Sequence, residues 1–397
     1  MQMDNRMTYQ EWPTWIYAQQ KKEVSDRIQE VVCKPSKREM WMVNHLTPYL
    51  FKSDEPLFKG IERATIFYRA YESLNKITTD RSRKVYKWSD DIRSVYRAKL
   101  VPKQEISLND LEKFQPGIPH DFSSIFPPSS WSLHLSFTLR KPYISRDDTD
   151  FYILDNPVKK EWIFKVPYIA PSQWKGALRS AMMQELVSGL NCGQIDEGGF
   201  KEERLRLWRL FGNEKDGTSD FLNRSLARHL MGSMPEDEEG KHEWKKRLEA
   251  KTKEVDESFE SELSHRGYHV GDIEGFQGCL HFYPTYFDRI GLEVINPHDR
   301  ETGAGKNPIY FECVPAGTKG TFTLLYVPLF GPEVTEEEAK ADLKAVARGV
   351  KAMMTRYGFG AKTSSGFGVV DEEQVNAMLE PKGYQDIWQE AWSEAAR

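Results

Sequence analysis

Two basic side chains stand four residues apart at the predicted start of a helix. Pro171 cannot lie inside a helix, and Ser172 after it is a good N-cap. Apolar residues then recur at helical spacing, at Trp174, Ala177, Leu178, Ala181, Met182 and Leu186. Lys175 and Arg179 therefore share one helix face beside the partially positive N-terminus, and Gly176 allows another backbone to come close. This spacing predicts an anion-binding site. The alternative is that both cations only solvate the outer face of a core helix.

The second candidate is a glycine-rich loop near the C-terminus, between a predicted helix and the apolar pair Val369-Val370. Glycines let backbone amides approach a phosphate chain closely. The residues that we expect to contact phosphate here are Gly358, Gly360, Lys362, Gly366 and Gly368. The alternative is an ordinary turn before an edge strand.

Together the two stretches resemble the RAMP superfamily of CRISPR-associated proteins. Its members carry the helix start P-x-I-P-G-S-S-L-K-G-x-x-R and a C-terminal glycine-rich loop. Lys175, Gly176 and Arg179 match that helix start. The positions that depart from it are Ala170, Pro171, Gln173 and Trp174. The resemblance covers roughly residues 131–370 of the chain.

A second similarity lies further along the chain. Pro284, Tyr286, Phe287 and Asn296-Pro297-His298 resemble the RAMP subunit at the guide 3′-end of some type III effector complexes. His298 is expected to contact RNA or to be structural, because the sequence places no other ionisable group beside it. The resemblance implies a subunit that binds the guide RNA backbone and helps capture complementary target RNA in antiviral defence. Its implied partners are guide RNA, target RNA, other RAMP subunits and the large subunit of the complex, and binding would need no cofactor.

An alternative function is RNA cleavage. The segment Leu154-Asp155-Asn156-Pro157-Val158 resembles the D-x-P-[VI] loop of the cleaving backbone subunits, and it lies, as in them, between the first strand and the basic helix. By that resemblance Asp155 would be the catalytic residue of a metal-dependent endoribonuclease, holding Mg²⁺ while the target's own 2′-OH attacks the phosphate. Against this, the similarity at Asn296-Pro297-His298 favours the end subunit, which is usually not credited with cleavage.

Two further functions are weaker alternatives. One is a guide-processing RAMP endonuclease of the stand-alone type, a class that generally lacks the K-G-x-x-R helix. The other is a ferredoxin-like domain with no RNA role, which would require both motifs to be coincidence.

The sequence pattern of residues 131–397 predicts an α+β fold. From Trp131 to Leu139, apolar and polar residues alternate as in a half-buried strand. The elements predicted after it are the basic helix, strands near Leu280 and Phe322, a helix with a Thr335–Glu338 capping box, and a strand at Val369. The order β-α-β-β-α-β is that of a ferredoxin-like domain. The resemblance implies the same fold, a modified RNA-recognition-type domain.

Two segments precede that domain. Residues 1–114 are predicted to form a helical N-terminal domain, because glycine is nearly absent and no strict alternation occurs. Residues 115–130, which are rich in proline and serine, form the connector. Within the helical domain, residues 76–103 carry nine basic groups against three acidic ones. That balance suits an RNA backbone, and it suits a solvated helix face equally well.

A charged insertion interrupts the core at residues 213–275. From 213 to 264 it holds 14 acidic and nine basic residues and few apolar ones, which predicts a segment that contributes little to the core. By the resemblance it would be a thumb that reaches a neighbouring subunit or the guide–target duplex. Its acidic character suits contact with protein better than contact with RNA.

The amino-acid composition narrows the classes of function that the protein could have. With 39% hydrophobic and 29% charged residues in 397, the chain fits a soluble protein with long polar insertions or large assembly surfaces. A net charge of −5 argues against nucleic-acid binding by the whole surface. No apolar run reaches membrane-spanning length and residues 1–20 lack a signal-peptide core, so we expect a cytoplasmic protein with no membrane partner. The four cysteines form no C-x-x-C pair, so we expect neither a disulfide framework nor a metal site.

Overall fold

The computed structural model describes residues 122–147, 156–161, 166–213, 216–268, 276–297 and 308–395. The predicted N-terminal domain, its basic stretch and the two site residues Asp155 and His298 lie outside these ranges. The predictions about them therefore stay predictions.

The chain divides into two compact units. The first comprises Met1–Leu108, Ile144–Tyr168 and Phe287–Thr318, and the second comprises Asn109–Tyr143, Ile169–Tyr286 and Lys319–Arg397. The helices of the described residues, all in the second unit, are α1 (Phe122–Ile125), α2 (Pro171–Asn191), α3 (Glu197–Phe211), α4 (Asp216–Met231), α5 (Glu238–His265), α6 (Glu336–Ala352) and α7 (Gln385–Glu394). None of these helices is both long and apolar enough to cross a membrane. The strands are β1 (Trp131–Thr138), β2 (Tyr168–Ile169), β3 (Leu280–Phe282), β4 (Thr285–Tyr286), β5 (Gly291–Ile295), β6 (Ile309–Cys313), β7 (Lys319–Tyr326) and β8 (Asn376–Glu380).

A four-stranded antiparallel sheet organises the second unit, with the spatial order β3-β7-β1-β8. Central strand β1 pairs along its whole length with β7, which places Leu133 opposite Leu324, and on its other edge with β8, which places Leu133 opposite Leu379. All three leucines are buried on one face of the sheet. The strand predicted from the alternation after Trp131 is confirmed, because every second residue of β1 lies in the core.

The last strand of the sheet lies later than predicted. Val369 only pairs with the residues that follow β1, since its carbonyl accepts the backbone N–H groups of Arg140 and Lys141 at 2.9 and 3.2 Å. The fourth strand is Asn376–Glu380, in which Leu379 alone is buried. An edge strand with a single core residue has almost no periodic pattern, which explains why sequence reasoning missed it.

The basic helix α2 begins two residues earlier than predicted. Ala170 occupies the N-cap position and Pro171 is the first helical residue, so Ser172 is not the cap. Proline is well suited to this position because its fixed φ matches a helix and its missing N–H would have no partner there. As a result, no side chain caps the N-terminus of α2.

Helices α2 and α6 pack directly against each other. A Cβ on Gly349 of α6 would collide with the Met182 side chain of α2, so the two backbones approach closely at this glycine. The start of α6 is confirmed as a capping box, in which the Thr335 hydroxyl accepts from the Glu338 N–H and the Glu338 carboxylate accepts from the Thr335 N–H.

A buried carboxylate joins α3, α6 and β7. Asp342 is fully buried in α6 and accepts two hydrogen bonds from the Arg209 guanidinium of α3, at 2.9 and 2.6 Å. The Tyr326 hydroxyl of β7 donates to the same carboxylate at 2.8 Å. Burial first, and then the charge of Asp342, raise the pKa of Tyr326. The tyrosine therefore remains a neutral donor, and the buried charge is fully paired.

The charged insertion is an ordered helical hairpin, formed by α4 and α5. The expectation that it contributes little to the core is wrong: its apolar residues are few but lie on one stripe, and Leu222, Leu226, Ala227, Leu248, Val255, Phe259 and Leu263 are buried. Phe259 and Leu263 form a hydrophobic cluster with Leu205 of α3 and Tyr268. A narrow apolar stripe on each helix is enough to close a hairpin whose other faces are charged.

In the first unit, β5 and β6 form an antiparallel pair. The segment after Asp155 is held on β6, because Asn156 accepts the Glu312 backbone N–H at 3.0 Å and its amide donates to the Tyr310 carbonyl at 3.2 Å. Glu312 also forms an ion pair with Lys160, and both side chains are fully buried. This buried pair fixes the position of the 156–160 segment on the strand.

The hairpin packing generates a prediction about Phe259. Its ring is 6% exposed and lies 3.6 Å from the Arg204 guanidinium, so Phe259→Ala should lower the free energy of unfolding by about 3 kcal/mol in urea denaturation. Phe221→Ala is the control, because that ring on α4 is 40% exposed and its loss should cost less than about 0.5 kcal/mol. Equal, small effects of both substitutions would show that the hairpin does not pack.

Candidate functional site

Trp174 anchors the start of α2 in the core. Its fully buried indole lies 4.9 Å from the Phe322 ring of β7 and 4.6 Å from the Phe359 ring of the glycine-rich loop, between ring centroids. The indole N–H donates to the Thr285 hydroxyl at 3.0 Å, and that hydroxyl donates to the Thr321 carbonyl at 2.6 Å. Since the ring is held by β7, β4 and the loop, the first turn of α2 has one fixed position.

The same contact brings the two predicted motifs together. Phe359 is 1% exposed, and its ring lies 5.9 Å from that of Tyr143. The Tyr143 hydroxyl in turn donates to the Gln173 side chain in the first turn of α2 at 2.9 Å. Two stretches that are far apart in the sequence therefore pack against each other in the second unit.

The predicted basic residues lie in the first turns of α2, directly after Trp174. Gly176 is exposed, and a Cβ built on it would meet nothing within 4 Å among the described residues. Lys175 and Arg179 are half-buried, and the Arg179 guanidinium donates to the Asn213 carbonyl at 3.3 Å. Next to them, the uncapped N-terminus of α2 adds its partial positive charge. The arrangement is suited to an anion that approaches the backbone at Gly176 closely.

Sequence reasoning missed His281, which lies near Lys175. Burial lowers the pKa of His281 first, and the positive charge of Lys175 lowers it further. The imidazole is therefore neutral at pH 7 and can offer a hydrogen bond without repelling Lys175. A lone histidine between Leu280 and Phe282 in a three-residue strand carries no signal that relates it to a helix a hundred residues earlier.

Backbone hydrogen bonds close the glycine-rich loop. The Phe359 N–H donates to the Gly368 carbonyl, and the Gly368 N–H donates to the Pro142 carbonyl, both at 2.9 Å. Gly358 and Gly368 have φ values of 75° and 68°, and a Cβ on either would collide with a carbonyl of the opposite side of the loop. These two glycines are thus required by the closure itself.

The tip of the loop behaves differently. Gly360 and Gly366 also have positive φ, at 96° and 82°, but a Cβ on Gly366 would meet open space. Lys362 has φ 59°, a left-handed conformation that costs a non-glycine residue roughly 1 kcal/mol or more. A strained, exposed lysine at a tip with room around it is typical of a residue kept for its side chain.

The predicted catalytic loop is described only on its two sides. Before the gap, the Asp147 N–H donates to the Pro157 carbonyl at 3.1 Å, and the Ser145 hydroxyl accepts the Lys159 N–H at 2.8 Å. Asp155 itself, like His298, is not among the described residues. Within the described ranges, no group of three or more His, Cys, Asp or Glu side chains is arranged to hold a metal ion.

A family model for the RAMP superfamily matches residues 150–371, which is more than half of the chain. The chain belongs to the RAMP superfamily. The matched range contains both the α2 start and the glycine-rich loop of this RAMP protein. Among solved structures, a chain from the cryo-EM structure of the Type III-B Cmr-beta bound to cognate target RNA is similar, with 13% identity and a TM-score of 0.44, over 85% of this chain and 99% of that chain. None of the curated proteins matches.

The outer face of the sheet in this RAMP protein has no aromatic platform. By alternation, that face carries His134 and its neighbours on β1, Thr323 on β7 and Met378 on β8, and none of the outward positions on these three strands is Phe, Tyr or Trp. Burial lowers the pKa of His134, which contacts the Thr323 hydroxyl at 3.5 Å. Sheet-based RNA recognition relies on aromatic rings that stack on bases, and the described outward positions of these three strands offer none.

The loop conformation generates a prediction about Lys362. Lys362→Gly and Lys362→Ala both remove the charge, and both should weaken RNA binding to a similar extent. The glycine variant should nevertheless be about 1 kcal/mol more stable than the alanine variant in urea denaturation, because glycine adopts positive φ without strain. Equal stability of the two variants would contradict the left-handed conformation, and unchanged RNA binding would contradict a binding role for this lysine.

Proposed function

We propose that this RAMP protein is a subunit of an RNA-guided type III CRISPR effector complex, which binds the guide RNA backbone and helps capture complementary target RNA. The observation that supports this most is the Trp174–Phe359 contact, because it packs the basic helix start against the glycine-rich loop. Lys175, Gly176, Arg179 and the loop residues Gly358, Gly360, Lys362, Gly366 and Gly368 would contact phosphates.

Binding at this surface would be independent of base sequence. A helix N-terminus, two cations and backbone amides recognise phosphates, and phosphate contacts position a nucleic acid without reading it. The absence of aromatic rings on the outer sheet face of β1, β7 and β8 also favours backbone recognition over base recognition. A subunit that must carry many different guides requires this kind of contact.

The domain that carries the surface is proposed to be a ferredoxin-like, modified RNA-recognition-type domain. The chain order β1-α2-β3-β7-α6-β8 and the spatial order β3-β7-β1-β8 support this, because they correspond to strand order 2-3-1-4 in a β-α-β-β-α-β unit. The helical domain 1–114, the connector 115–130 and the core 131–397 are kept as the proposed domain organisation.

The proposed partners are guide RNA, target RNA, other RAMP subunits and the large subunit of the complex. The solved chain with a similar fold comes from a complex bound to target RNA, and for this chain such partners remain a proposal. RNA binding would need no cofactor, and the proposed location is the cytoplasm.

The binding surface is tested by Lys175→Ala combined with Arg179→Ala. The double variant should bind single-stranded RNA of any sequence more weakly, and the slope of log affinity against log salt should fall by about 0.7 for each lost phosphate contact. Filter binding over a salt series, with several unrelated RNA sequences, measures both quantities.

The matched control is Lys340→Ala combined with Arg348→Ala. On α6, Arg348 is exposed and Lys340 is half-buried, and both form surface ion pairs, so the control removes the same charge from the same unit. An equal loss of affinity in the control would mean that net charge alone drives binding. A loss confined to some sequences would contradict backbone recognition.

A second candidate function is cleavage of target RNA by a metal-dependent endoribonuclease. The observation in its favour is that the buried Lys160–Glu312 pair and the Asn156 hydrogen bonds hold the chain directly after Asp155 on β6. If the chain directly after Asp155 is fixed, Asp155 would keep one orientation and would not have to be ordered at each turnover. Asp155 would hold Mg²⁺, which would supply charge stabilisation while the target's 2′-OH attacks the phosphate. A guide-processing endonuclease remains the further alternative.

Cleavage is tested in the assembled complex with Asp155→Ala in this subunit alone. A labelled complementary RNA, with and without magnesium, should lose one product from an otherwise intact ladder if Asp155 is catalytic. Asp150→Ala is the matched control from the same loop, and it should leave the ladder unchanged. An unchanged ladder for Asp155→Ala, with guide binding intact, would leave this subunit a binding protein without nuclease activity.

A further inference from the structure

A short π-helical turn, Met353–Tyr357, connects α6 to the glycine-rich loop. The Gly358 N–H closes this turn by donating to the Met353 carbonyl at 2.8 Å. Turns of this kind are rare, and they occur frequently at functional sites. Here the turn places its last two side chains, Arg356 and Tyr357, directly before the first glycine of the loop.

These two side chains are stacked on each other and held by α2. The Arg356 guanidinium lies over the Tyr357 ring, 5.1 Å from the ring centre. Glu185 of α2 fixes both, because the same carboxylate oxygen accepts from the Arg356 guanidinium at 2.9 Å and from the Tyr357 hydroxyl at 2.5 Å. A ring on one face and a carboxylate at its nitrogen thus give the guanidinium one orientation.

The support for the guanidinium does not change near neutral pH. Burial first, and then the hydrogen bond to Glu185, raise the pKa of Tyr357 to about 12. The hydroxyl therefore stays protonated and continues to donate to the carboxylate.

Arg356 nevertheless remains open to solvent. Its side chain is 61% exposed, and that of Glu185 is 39% exposed. An ion pair as exposed as this contributes little to stability, so folding alone does not account for an arginine held at three points. The guanidinium keeps one face free, and unpaired bases of RNA stack on guanidinium planes as they do on aromatic rings.

We propose that Arg356 is a base-stacking residue: its guanidinium, supported by Tyr357, receives an unpaired base of the RNA whose phosphates contact the glycine-rich loop. This inference rests on the proposed function and adds a contact with a base to a site made of phosphate contacts. Tyr357 alone separates Arg356 from Gly358, so both contacts can belong to one short stretch of RNA. Every base has a π face, so stacking tolerates any guide sequence.

The test uses the full chain and two forms of one single-stranded RNA of about 12 nucleotides, intact and with an abasic ribose at every position. Both forms carry the same phosphates, and only the intact form can stack. Arg356→Lys keeps the positive charge and removes the planar group. It should weaken binding of the intact RNA about fivefold in fluorescence anisotropy, which corresponds to about 1 kcal/mol. Binding of the abasic RNA should stay that of the wild type.

The matched control is Arg348→Lys. Arg348 is exposed on α6 and forms a surface ion pair with Glu394, so the control makes the same chemical change away from the loop. It should leave the affinity for both RNA forms unchanged.

Glu185→Gln supplies a second readout, because it removes the charge that orients the guanidinium. The ratio of the affinity for intact RNA to the affinity for abasic RNA should fall several-fold in this variant. If Arg356 acted only as a charge, removing a nearby carboxylate would instead strengthen binding of both forms equally.

The stacking proposal is overturned if Arg356→Lys binds intact RNA as tightly as the wild type, if it weakens both forms equally, or if Glu185→Gln leaves the affinity ratio unchanged. A failure of the proposed phosphate site has a different signature. In that case Lys175→Ala combined with Arg179→Ala would leave binding of the abasic RNA unchanged.

Discussion

Burial of the Trp174 indole is the constraint on which the rest of the proposed binding site depends. Burying a tryptophan is costly when its N–H lacks an acceptor, and the Thr285 hydroxyl accepts this one. The ring then packs against β7 and the glycine-rich loop at the same time. Lys175 follows directly in the chain, so its backbone position is set by apolar packing before any ligand is present. The cations are thus preorganised by the core, and binding does not have to order them.

Buried ion pairs also fix the positions of elements within each unit. Asp342 ties α3 to α6 through Arg209, and Glu312 ties the 156–160 segment to β6 through Lys160. Such pairs add little net stability compared with apolar residues, yet removing one partner leaves a buried charge uncompensated. Their main effect is therefore to hold elements that are distant in the sequence in one relative position. In the second unit the aligned element is α3.

Local signals in the sequence were sufficient to predict β1 and the start of α6, because alternation and a capping box each involve residues that are close in the sequence. The two binding motifs were recognisable individually. Their meeting through Trp174 and Phe359 is a tertiary contact that no local pattern encodes.

The glycine-rich loop is closed by hydrogen bonds between main-chain atoms, at Phe359, Gly368 and Pro142. Such bonds do not depend on which side chains the tip carries. Mutations between Gly360 and Gly366 can therefore accumulate during evolution while the shape of the loop is inherited unchanged. Selection can adjust affinity at the tip one side chain at a time, and the positions that close the loop tolerate no such drift. In this protein, invariance is expected at the closing positions and variability at the tip, all within eleven consecutive residues from Gly358 to Gly368.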